Sequence, residues 1–292
     1  MEAVRSQNET SHLIILDNAG TDGTSELFQG TRESHPEFET VIQGGDFTYL
    51  HMHENTGGAG GFYHAMKYAV EQGFSHLWIM DDDACPHQDA LREYVLTDKH
   101  LTSYGFLTGK VLWKDGSICV LNVPKRTKWE RIRDFSIPQL VQYASFVSLF
   151  IRSETVMKYG LPYREFFLWG DDWEYTRRIS KERPCFYVPG SVTTHYCAIN
   201  DGCYIDRLPD NMTERFRYLY RNDVVIYRQD GMEGYLYLAL RNVKHISNVL
   251  FHSKGRKKKL KLMAAATKEG IRFKPTITYP VSAIHESRES NI

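Results

Sequence analysis

The sequence predicts an α/β fold in which a mostly parallel sheet is flanked by helices and followed by a helical segment. Three short runs dominated by apolar residues, 12–16, 47–52 and 76–80, each stop at polar residues, as buried strands do. Helical spacing of apolar residues follows the second run. Strands that alternate with helices at this spacing indicate a largely parallel sheet.

The elements follow from local sequence in chain order. Turn residues over 19–24 and the glycine-rich run 55–61 interrupt the chain, and Phe62, Ala65 and Ala69 then recur at helical spacing. The predicted elements are strand 12–16, a short helix from 25, strand 47–52, helix 61–72, strands 76–80, 106–112, 117–121 and 142–152, a helix through 159, a helix within 166–179, strand 184–188, and helices 215–228 and 234–249.

Composition changes near residue 205, where the pattern becomes helical. We therefore expect one domain over 1–205 and a helical region with a basic tail over 206–292. The 292 residues, 42% hydrophobic and 25% charged, suffice for a large buried core. The formal net charge of zero gives no reason to expect a nucleic-acid partner.

The five cysteines include no CxxC pair, so a reducing, cytoplasmic location is expected. Cys185, His195, Cys197 and Cys203 could be zinc ligands, but their spacings match no standard site, and buried thiols are the favoured interpretation. We expect no signal peptide, since 1–12 is polar. The longest apolar stretch, 143–151, has about half the length of a spanning helix.

Asp81, Asp82 and Asp83 follow an apolar strand directly. Ligands of open α/β sheets bind at the carboxyl ends of strands, and three adjacent carboxylates repel one another unless a cation compensates them. Mg²⁺ and Mn²⁺ prefer oxygen ligands and often bridge to substrate phosphates. The alternative is a solvated acidic turn or a run that caps a helix.

Two further segments have the composition of binding sites. The run 55–61 is rich in glycine, which lets backbone N–H groups approach an anion closely. It fits neither the dinucleotide fingerprint nor the Walker motif, and a tight turn would explain it equally. The segment 168–175 contains three carboxylates next to two tryptophans, which suits a sugar site, or else a capped helix start.

The order of these segments resembles that of the family-2 glycosyltransferases. The resemblance rests on Leu-Asp-Asn-Ala-Gly-Thr-Asp-Gly-Thr at 16–24, Glu-Asn-Thr-Gly-Gly-Ala-Gly-Gly-Phe at 54–62, Met-Asp-Asp-Asp at 80–83, Trp-Gly-Asp-Asp-Trp-Glu at 169–174, and His195. Within that family, the segments from 54–62 to His195 are similar to those of bacterial galactofuranosyltransferases, which have rhamnosyltransferases as near relatives. The resemblance covers roughly residues 12 to 230 and implies a GT-A, Rossmann-like catalytic domain.

The resemblance also implies roles for individual residues. Asp81 and Asp83 match the metal and nucleotide positions, and His195 matches the histidine that completes a Mn²⁺ or Mg²⁺ site. Asp172 matches the catalytic base. Asp171 and Glu174 would hold acceptor hydroxyls, and Trp169 and Trp173 would line the acceptor side. The positions that would border the nucleotide-sugar donor are Asp17, Asn55, Gly57, Gly58, Gly60 and Asp82.

The implied reaction is inverting transfer of galactofuranose from UDP-galactofuranose to a cell-surface polysaccharide or a lipid-linked glycan. Three alternatives stay open from the sequence: a rhamnosyltransferase that uses a dTDP-sugar, a metal-dependent phosphohydrolase, and a non-catalytic glycan-binding relative. The last arises because relatives usually begin with a further strand and helix that we expect to be absent here.

The basic segment Lys254 to Lys274 contains nine Lys or Arg and one Glu, with leucines interspersed. A basic helix with an apolar side can lie on an anionic membrane, which would suit a lipid-linked acceptor. We therefore expect peripheral contact with the inner face of the plasma membrane through this segment. The alternative is a solvated helical face.

Overall fold

The computed structural model describes residues 1–9, 11–202, 204–207 and 210–281. Its strands are β1 Leu13–Asp17, β2 Thr31–His35, β3 Phe38–Gln43, β4 Phe47–His51, β5 His76–Ile79, β6 Ala84–Pro86, β7 Leu107–Trp113, β8 Lys125–Thr127, β9 Glu130–Arg131, β10 Gln139–Leu140, β11 Leu149–Arg152 and β12 Phe186–His195. Its α-helices are α1 Glu2–Arg5, α2 Gly57–Glu71, α3 Ala90–His100, α4 Ser153–Tyr159, α5 Asp171–Ser180, α6 Phe216–Arg228, α7 Gly231–His252 and α8 Arg256–Arg272.

The described strands form two main sheets. One has the order β1-β4-β3-β2, and the other the order β10-β12-β7-β11-β5 with β6 added beside β12. β1 with β4 and β7 with β12 pair in parallel. The remaining pairs are antiparallel. The predicted α/β architecture is confirmed. Its sheets are mixed, because antiparallel strands pair beside the parallel ones.

The larger sheet is covered by helices on both faces. Leu77 and Ile79 of β5 belong to the core cluster that includes α2, while the intervening Trp78 packs with Leu91 and Tyr94 of α3. This alternation follows from the two-residue period of a strand. It explains why 76–80 contains so few polar residues: both faces of the strand are buried.

The three C-terminal helices pack together and onto the α/β body. Phe216 of α6, Val249 of α7 and Met263 of α8 share one buried cluster. Further along α6, Val224 packs against Ala59 at the start of α2. α6 therefore connects the helical region to the glycine-rich loop. The domain boundary near 205 stays a prediction.

Some local predictions were wrong. Residues 117–121 form no strand but lead into a 3₁₀ turn, Val120–Asn122, and within 142–152 only β11 is extended. β2 and β3 had no counterpart among the predicted elements. Cys203 of the zinc hypothesis lies outside the described residues, as do residues 282–292. No described helix is long and apolar enough to cross a membrane.

Candidate functional site

The acidic run after β5 lies against the end of β12. Asp81 to Asp83 turn the chain into β6, which pairs antiparallel with β12 so that Ala84 is opposite His195. The Tyr196 N–H donates to the carbonyl of Asp83 over 2.9 Å. This pairing brings two segments more than a hundred residues apart together at the sheet edge. Nε2 of His195 lies 3.0 Å from Oδ1 of Asp83, which confirms their predicted proximity.

Asp81, Asp83 and His195 form one compact group of ligand atoms, all within 4.8 Å of one another. Asp83 is exposed and His195 is buried. The pKa of Asp81 is raised to about 6, chiefly by burial; the nearby acids Asp83 and Asp171 contribute to this increase, and His195 opposes it. Asp82, between these two carboxylates in sequence, is exposed. Two carboxylates and an imidazole are a donor set that suits Mn²⁺ or Mg²⁺.

A second acidic segment opens helix α5. Asp171 is buried and Asp172 half-buried at the first two helical positions. Burial raises the pKa of Asp171 to about 6. Burial, together with the charges of Asp171 and Asp81, raises the pKa of Asp172 well above its usual range. The influence of Asp81 on Asp172 indicates that the two acidic segments lie near each other.

The loop before α5 has an unusual backbone. Phe167 and Trp169 have φ near +64° although they are not glycines, a conformation that costs energy and occurs often at functional sites. The side-chain amide of Asn222 in α6 donates to the carbonyls of Phe166, Leu168 and Trp169 over 2.8 to 3.1 Å. The C-terminal helices therefore hold this loop in place, a role that the sequence did not reveal.

Glu174 is placed differently from Asp171 and Asp172. Its two carboxylate oxygens accept from Arg178 over 2.7 and 3.2 Å. Arg178 also donates to the carbonyls of Tyr159 and Leu161. Glu174 is thus held in a buried ion pair, and the structure does not group it with the metal-ligand candidates.

The two tryptophans predicted on the acceptor side are both half-buried. Trp169 packs against Phe216 of α6, with ring centroids 5.2 Å apart. Nζ of Lys125 lies 3.7 Å from the ring centroid of Trp173. Burial lowers the pKa of Lys125 to about 6, while the charge of Asp172 opposes that shift. Lys125 therefore borders the second acidic segment, and nothing in its sequence context predicted that position.

The glycine-rich run is held between the end of β1 and the loop before α5. Oδ1 of Asn18 accepts from the backbone and side chain of Thr56, and Oδ1 of Asn55 accepts from Gly57 N. Gly57 has φ +72°, and a Cβ there would meet the Phe167 carbonyl oxygen at 2.0 Å.

The other two predicted glycines differ from each other. A Cβ at Gly60 would lie 2.4 Å from Thr56, whereas one at Gly58 would point into open space. Gly57 and Gly60 therefore have packing reasons to be glycine, whereas Gly58 has room beside it for a bound molecule.

Asp17, predicted to contact the nucleoside, ends β1. Its carboxylate accepts from Gly20 N and from the Tyr49 hydroxyl, each over 2.6 Å. The carboxylate thereby fixes the turn after β1, and the structure does not group it with the metal-ligand candidates.

On the Nδ1 side of His195 lie Asn122 and Cys119, which the zinc hypothesis from the sequence did not include. Nδ1 of His195 lies 2.8 Å from Oδ1 of Asn122 and 3.8 Å from Sγ of Cys119. Cys197 joins Cys119 and His195 in a second group of ligand atoms within 4.8 Å. Cys185 of the earlier zinc hypothesis lies instead in the main core. Cys119 was missed because it is 76 residues from His195 in sequence.

A separate hollow of about 810 Å³ lies along β7 and β12, bordered by Lys110, Val192 and Arg133. None of the predicted site residues lines it. Its walls lack the convergent carboxylates of the Asp81 group, so we place the candidate site at the acidic segments and not in this hollow.

Comparison with known proteins agrees with the geometry. Residues 1–207 match the family model described as glycosyltransferase like family 2. The galactofuranosyltransferase GlfT1 of Mycolicibacterium smegmatis is 28% identical over 261 residues, which cover 81% of this chain and 80% of that protein. GlfT1 of Mycobacterium tuberculosis is 26% identical over 250 residues, covering 77% and 75%.

Among solved structures, residues 1–349 of S. aureus TarS in complex with UDP are similar, with a TM-score of 0.50 and 11% identity over 93% of this chain and 67% of that one. That likeness concerns the fold alone. The family model, in contrast, spans most of the 292 residues. The chain therefore belongs to glycosyltransferase family 2 and is a transferase with a GT-A-like fold.

Proposed function

We propose that this enzyme transfers galactofuranose from UDP-galactofuranose, with inversion, to a cell-surface polysaccharide or a lipid-linked glycan. The observation that carries the proposal is the grouping of Asp81, Asp83 and His195 beside the buried acids Asp171 and Asp172. The similarity to galactofuranosyltransferases at 26 to 28% identity favours this donor sugar. A rhamnosyltransferase that uses a dTDP-sugar is the alternative that the test below separates.

Asp81, Asp83 and His195 would hold a Mn²⁺ or Mg²⁺ ion. The fit is supported by the raised pKa of Asp81, since a buried carboxylate among other acids gains from an added cation. When bound, the ion supplies positive charge that stabilises the departing nucleoside diphosphate. Gly58 and its open surroundings would let the donor approach the start of α2, where backbone N–H groups favour an anion.

Asp172 would act as the general base. It would accept the proton of the acceptor hydroxyl while that oxygen attacks C1 of the donor sugar, so that the C1–O bond to the diphosphate breaks and the configuration inverts. The raised pKa of Asp172 brings it closer to the operating pH, where a general base is most effective. Asp171 would orient the acceptor, and Trp169 and Trp173 would border it.

The test is calorimetric titration of UDP into the purified full chain, with Mn²⁺ and with EDTA. The wild-type protein is expected to bind UDP only with the metal, and Asp83→Ala is expected to abolish that binding. Glu154→Gln is a matched control, since Glu154 is an exposed acid on α4. UDP binding that survives both EDTA and Asp83→Ala would contradict the metal site.

Donor identity requires a second titration with intact UDP-galactofuranose and dTDP-rhamnose, which the same protein should distinguish. Preference for UDP-galactofuranose supports the proposal, and preference for the dTDP-sugar would make the chain a rhamnosyltransferase. Binding of glycans without any nucleotide response would favour the non-catalytic alternative.

We also propose peripheral contact with an anionic membrane through Lys254 to Lys274. The exposed side chains of this segment include Lys254, Lys257, Lys258 and Lys261. We expected the apolar side of α8 to face outward, but Met263 is buried against α6 and Ile271 is exposed. The adjacent helix α7 supplies exposed apolar side chains instead, namely Met232, Leu236, Leu240, Val243, Leu250 and Phe251.

Sedimentation with vesicles tests this contact. We expect binding to vesicles that contain phosphatidylglycerol, weak binding to neutral ones, and loss of binding as salt rises. Replacing Lys257, Lys258 and Lys261 by Glu should abolish the binding. Equal binding to neutral and anionic vesicles would contradict a basic docking surface.

A further inference from the structure

His195 presents its two ring nitrogens to two chemically different groups. Nε2 faces Oδ1 of Asp83 at 3.0 Å. Nδ1 faces Cys119, whose Sγ is 3.8 Å away, and Cys197, whose Sγ belongs to the same group within 4.8 Å. One side of the ring therefore faces a carboxylate, and the other faces two thiols together with the amide oxygen of Asn122.

We propose that Cys119, Cys197 and Nδ1 of His195 form a binding site for a thiophilic divalent cation such as Zn²⁺. In a tetrahedral zinc site, Zn–S bonds of about 2.3 Å and Zn–N bonds of about 2.0 Å place the sulfur and nitrogen ligands roughly 3.5 Å apart. The observed separation of 3.8 Å between Cys119 Sγ and His195 Nδ1 needs little adjustment. Asn122 Oδ1 lies 2.8 Å from Nδ1 and accepts from the Cys119 thiol over 3.0 Å, so binding of the ion would replace these two hydrogen bonds.

The fold holds the two thiols in place from separate segments. Cys119 is buried in a cluster with Val111 and Val147. The loop after β12 is held to the residues on either side of Cys119, because Val120 N donates to Asn200 Oδ1 over 2.8 Å and Asn200 Nδ2 donates to the Ile118 carbonyl over 3.0 Å. The thiols are thus brought together by tertiary structure, and little ordering is left for the ion to impose.

The second ring nitrogen fits the same arrangement. A histidine that ligates through Nδ1 keeps a hydrogen on Nε2, and metal-bound histidines generally donate that hydrogen to a carboxylate or carbonyl. Asp83 Oδ1 is the acceptor, at 3.0 Å. On binding, the Cys119 and Cys197 thiols each lose a proton to solvent and become thiolates, and no electron transfer is involved.

Sharing of His195 has a consequence for the enzyme, and this consequence rests on the proposed function. A neutral imidazole has one lone pair, so His195 ligates an ion through Nδ1 or through Nε2. A thiophilic cation held by the cysteines would therefore weaken the oxygen-rich site formed with Asp81 and Asp83. We expect Zn²⁺ to reduce Mn²⁺-dependent UDP binding by this competition.

The test is titration of Co²⁺ into the reduced full chain without nucleotide. Tetrahedral cobalt bound to thiolates gives a strong near-ultraviolet charge-transfer band, and one equivalent is expected. Cys119→Ser and Cys197→Ser should each weaken binding at least tenfold and diminish the band. Cys85→Ser is the matched control, since Cys85 is outside the group, and it should leave the band unchanged. Asp83→Ala should retain the band, so that failure of the UDP site and failure of the thiolate site are distinguishable.

A measurement on the wild-type protein covers the case in which Cys119→Ser does not fold. Zn²⁺ should protect Cys119 and Cys197, but not Cys85, from alkylation by iodoacetamide, as read by peptide mass spectrometry. Absence of the band together with unprotected thiols would overturn the site. A band that survives both Cys119→Ser and Cys197→Ser would also overturn it. Mn²⁺-dependent UDP binding that Zn²⁺ leaves unchanged would overturn the shared histidine.

Discussion

The two acidic segments of the site have similar sequences but different surroundings. In 81–83, Asp82 and Asp83 are exposed, and the side chain of Asp83 is 43% accessible. In 171–174, Asp171 is 7% exposed and Glu174 only 4%. The first segment meets His195 from β12, whereas the second receives Arg178 from its own helix.

This difference separates two ways of accommodating clustered negative charge. Arg178 neutralises Glu174 within the described structure, while burial shifts Asp171 and Asp172 towards their protonated forms. Asp83 keeps an accessible carboxylate. The first segment is therefore suited to a cation that arrives from solution, and the second to holding and releasing a proton.

The largest expected effect comes from removing the proton acceptor of the second segment. Asp172→Asn keeps the shape of the side chain but cannot act as a base, so we expect kcat to fall about 100- to 10,000-fold. UDP release in the presence of donor and acceptor measures this. Mn²⁺-dependent UDP affinity should stay close to the wild-type value, because Asp172 is outside the ligand group.

Asp115→Asn makes the same chemical change at an exposed turn and should leave both quantities unaltered. Retention of wild-type kcat in Asp172→Asn would show that another residue is the general base.

The next effect concerns stability. Glu174→Gln leaves the Arg178 guanidinium buried without its carboxylate, and we expect the free energy of unfolding to fall by about 3 kcal/mol, measured by urea denaturation. UDP affinity per folded molecule should be unchanged. The paired replacement of Glu174 and Arg178 by Leu and Met should recover part of the loss. A Glu174→Gln protein with normal stability but no turnover would restore the acceptor role that the sequence predicted for Glu174.

A smaller effect is expected from the pH dependence of stability. The folded-state pKa of Asp171, about 6, lies above its ordinary value of 3.8. The native state therefore binds more protons than the unfolded state between pH 4 and 6, and this residue lowers stability as pH rises through that window. Asp171→Asn should flatten this part of the profile and raise the free energy of unfolding of the metal-free protein at pH 7.5. Destabilisation by the variant would show that the Asp171 carboxylate is ionised and hydrogen-bonded in the folded protein.

Much of the fold was predictable because several strands coincide with continuous runs of apolar residues. β1, β4 and β5 were found within one or two residues from apolar runs. β2 was missed because four of its five residues are exposed, so its sequence has no apolar pattern. The strand predicted at 117–121 was wrong because that segment turns towards His195, and only a tertiary contact decides its path.

The predicted site residues were individually recognisable, but their partners were not. The closeness of Asp83 and His195 depends on the β6–β12 pairing, and Cys119 reaches the histidine through the same tertiary arrangement. The pairing of Glu174 with Arg178 did have a sequence signal, since acids and bases four residues apart on a helix commonly interact. Asn222 had no local signal, because it acts on backbone carbonyls of a distant loop.

The smallest effect sharpens the comparison at the glycine-rich loop, where Gly57 packs against Phe167 in the loop that leads into the second acidic segment. Gly57→Ala would place a methyl group against the Phe167 carbonyl at positive φ, so we expect a loss of about 1 to 2 kcal/mol and displacement of the loop before α5. Gly58→Ala, where the space is open, should leave stability unchanged or raise it slightly, because alanine favours the helix. Gly58→Ala could nevertheless weaken UDP binding several-fold while Gly57→Ala mainly lowers thermal stability. That result would show that Gly57 supports the loop before α5 and that Gly58 borders the donor. Equal effects of both variants on UDP affinity and on stability would contradict that division.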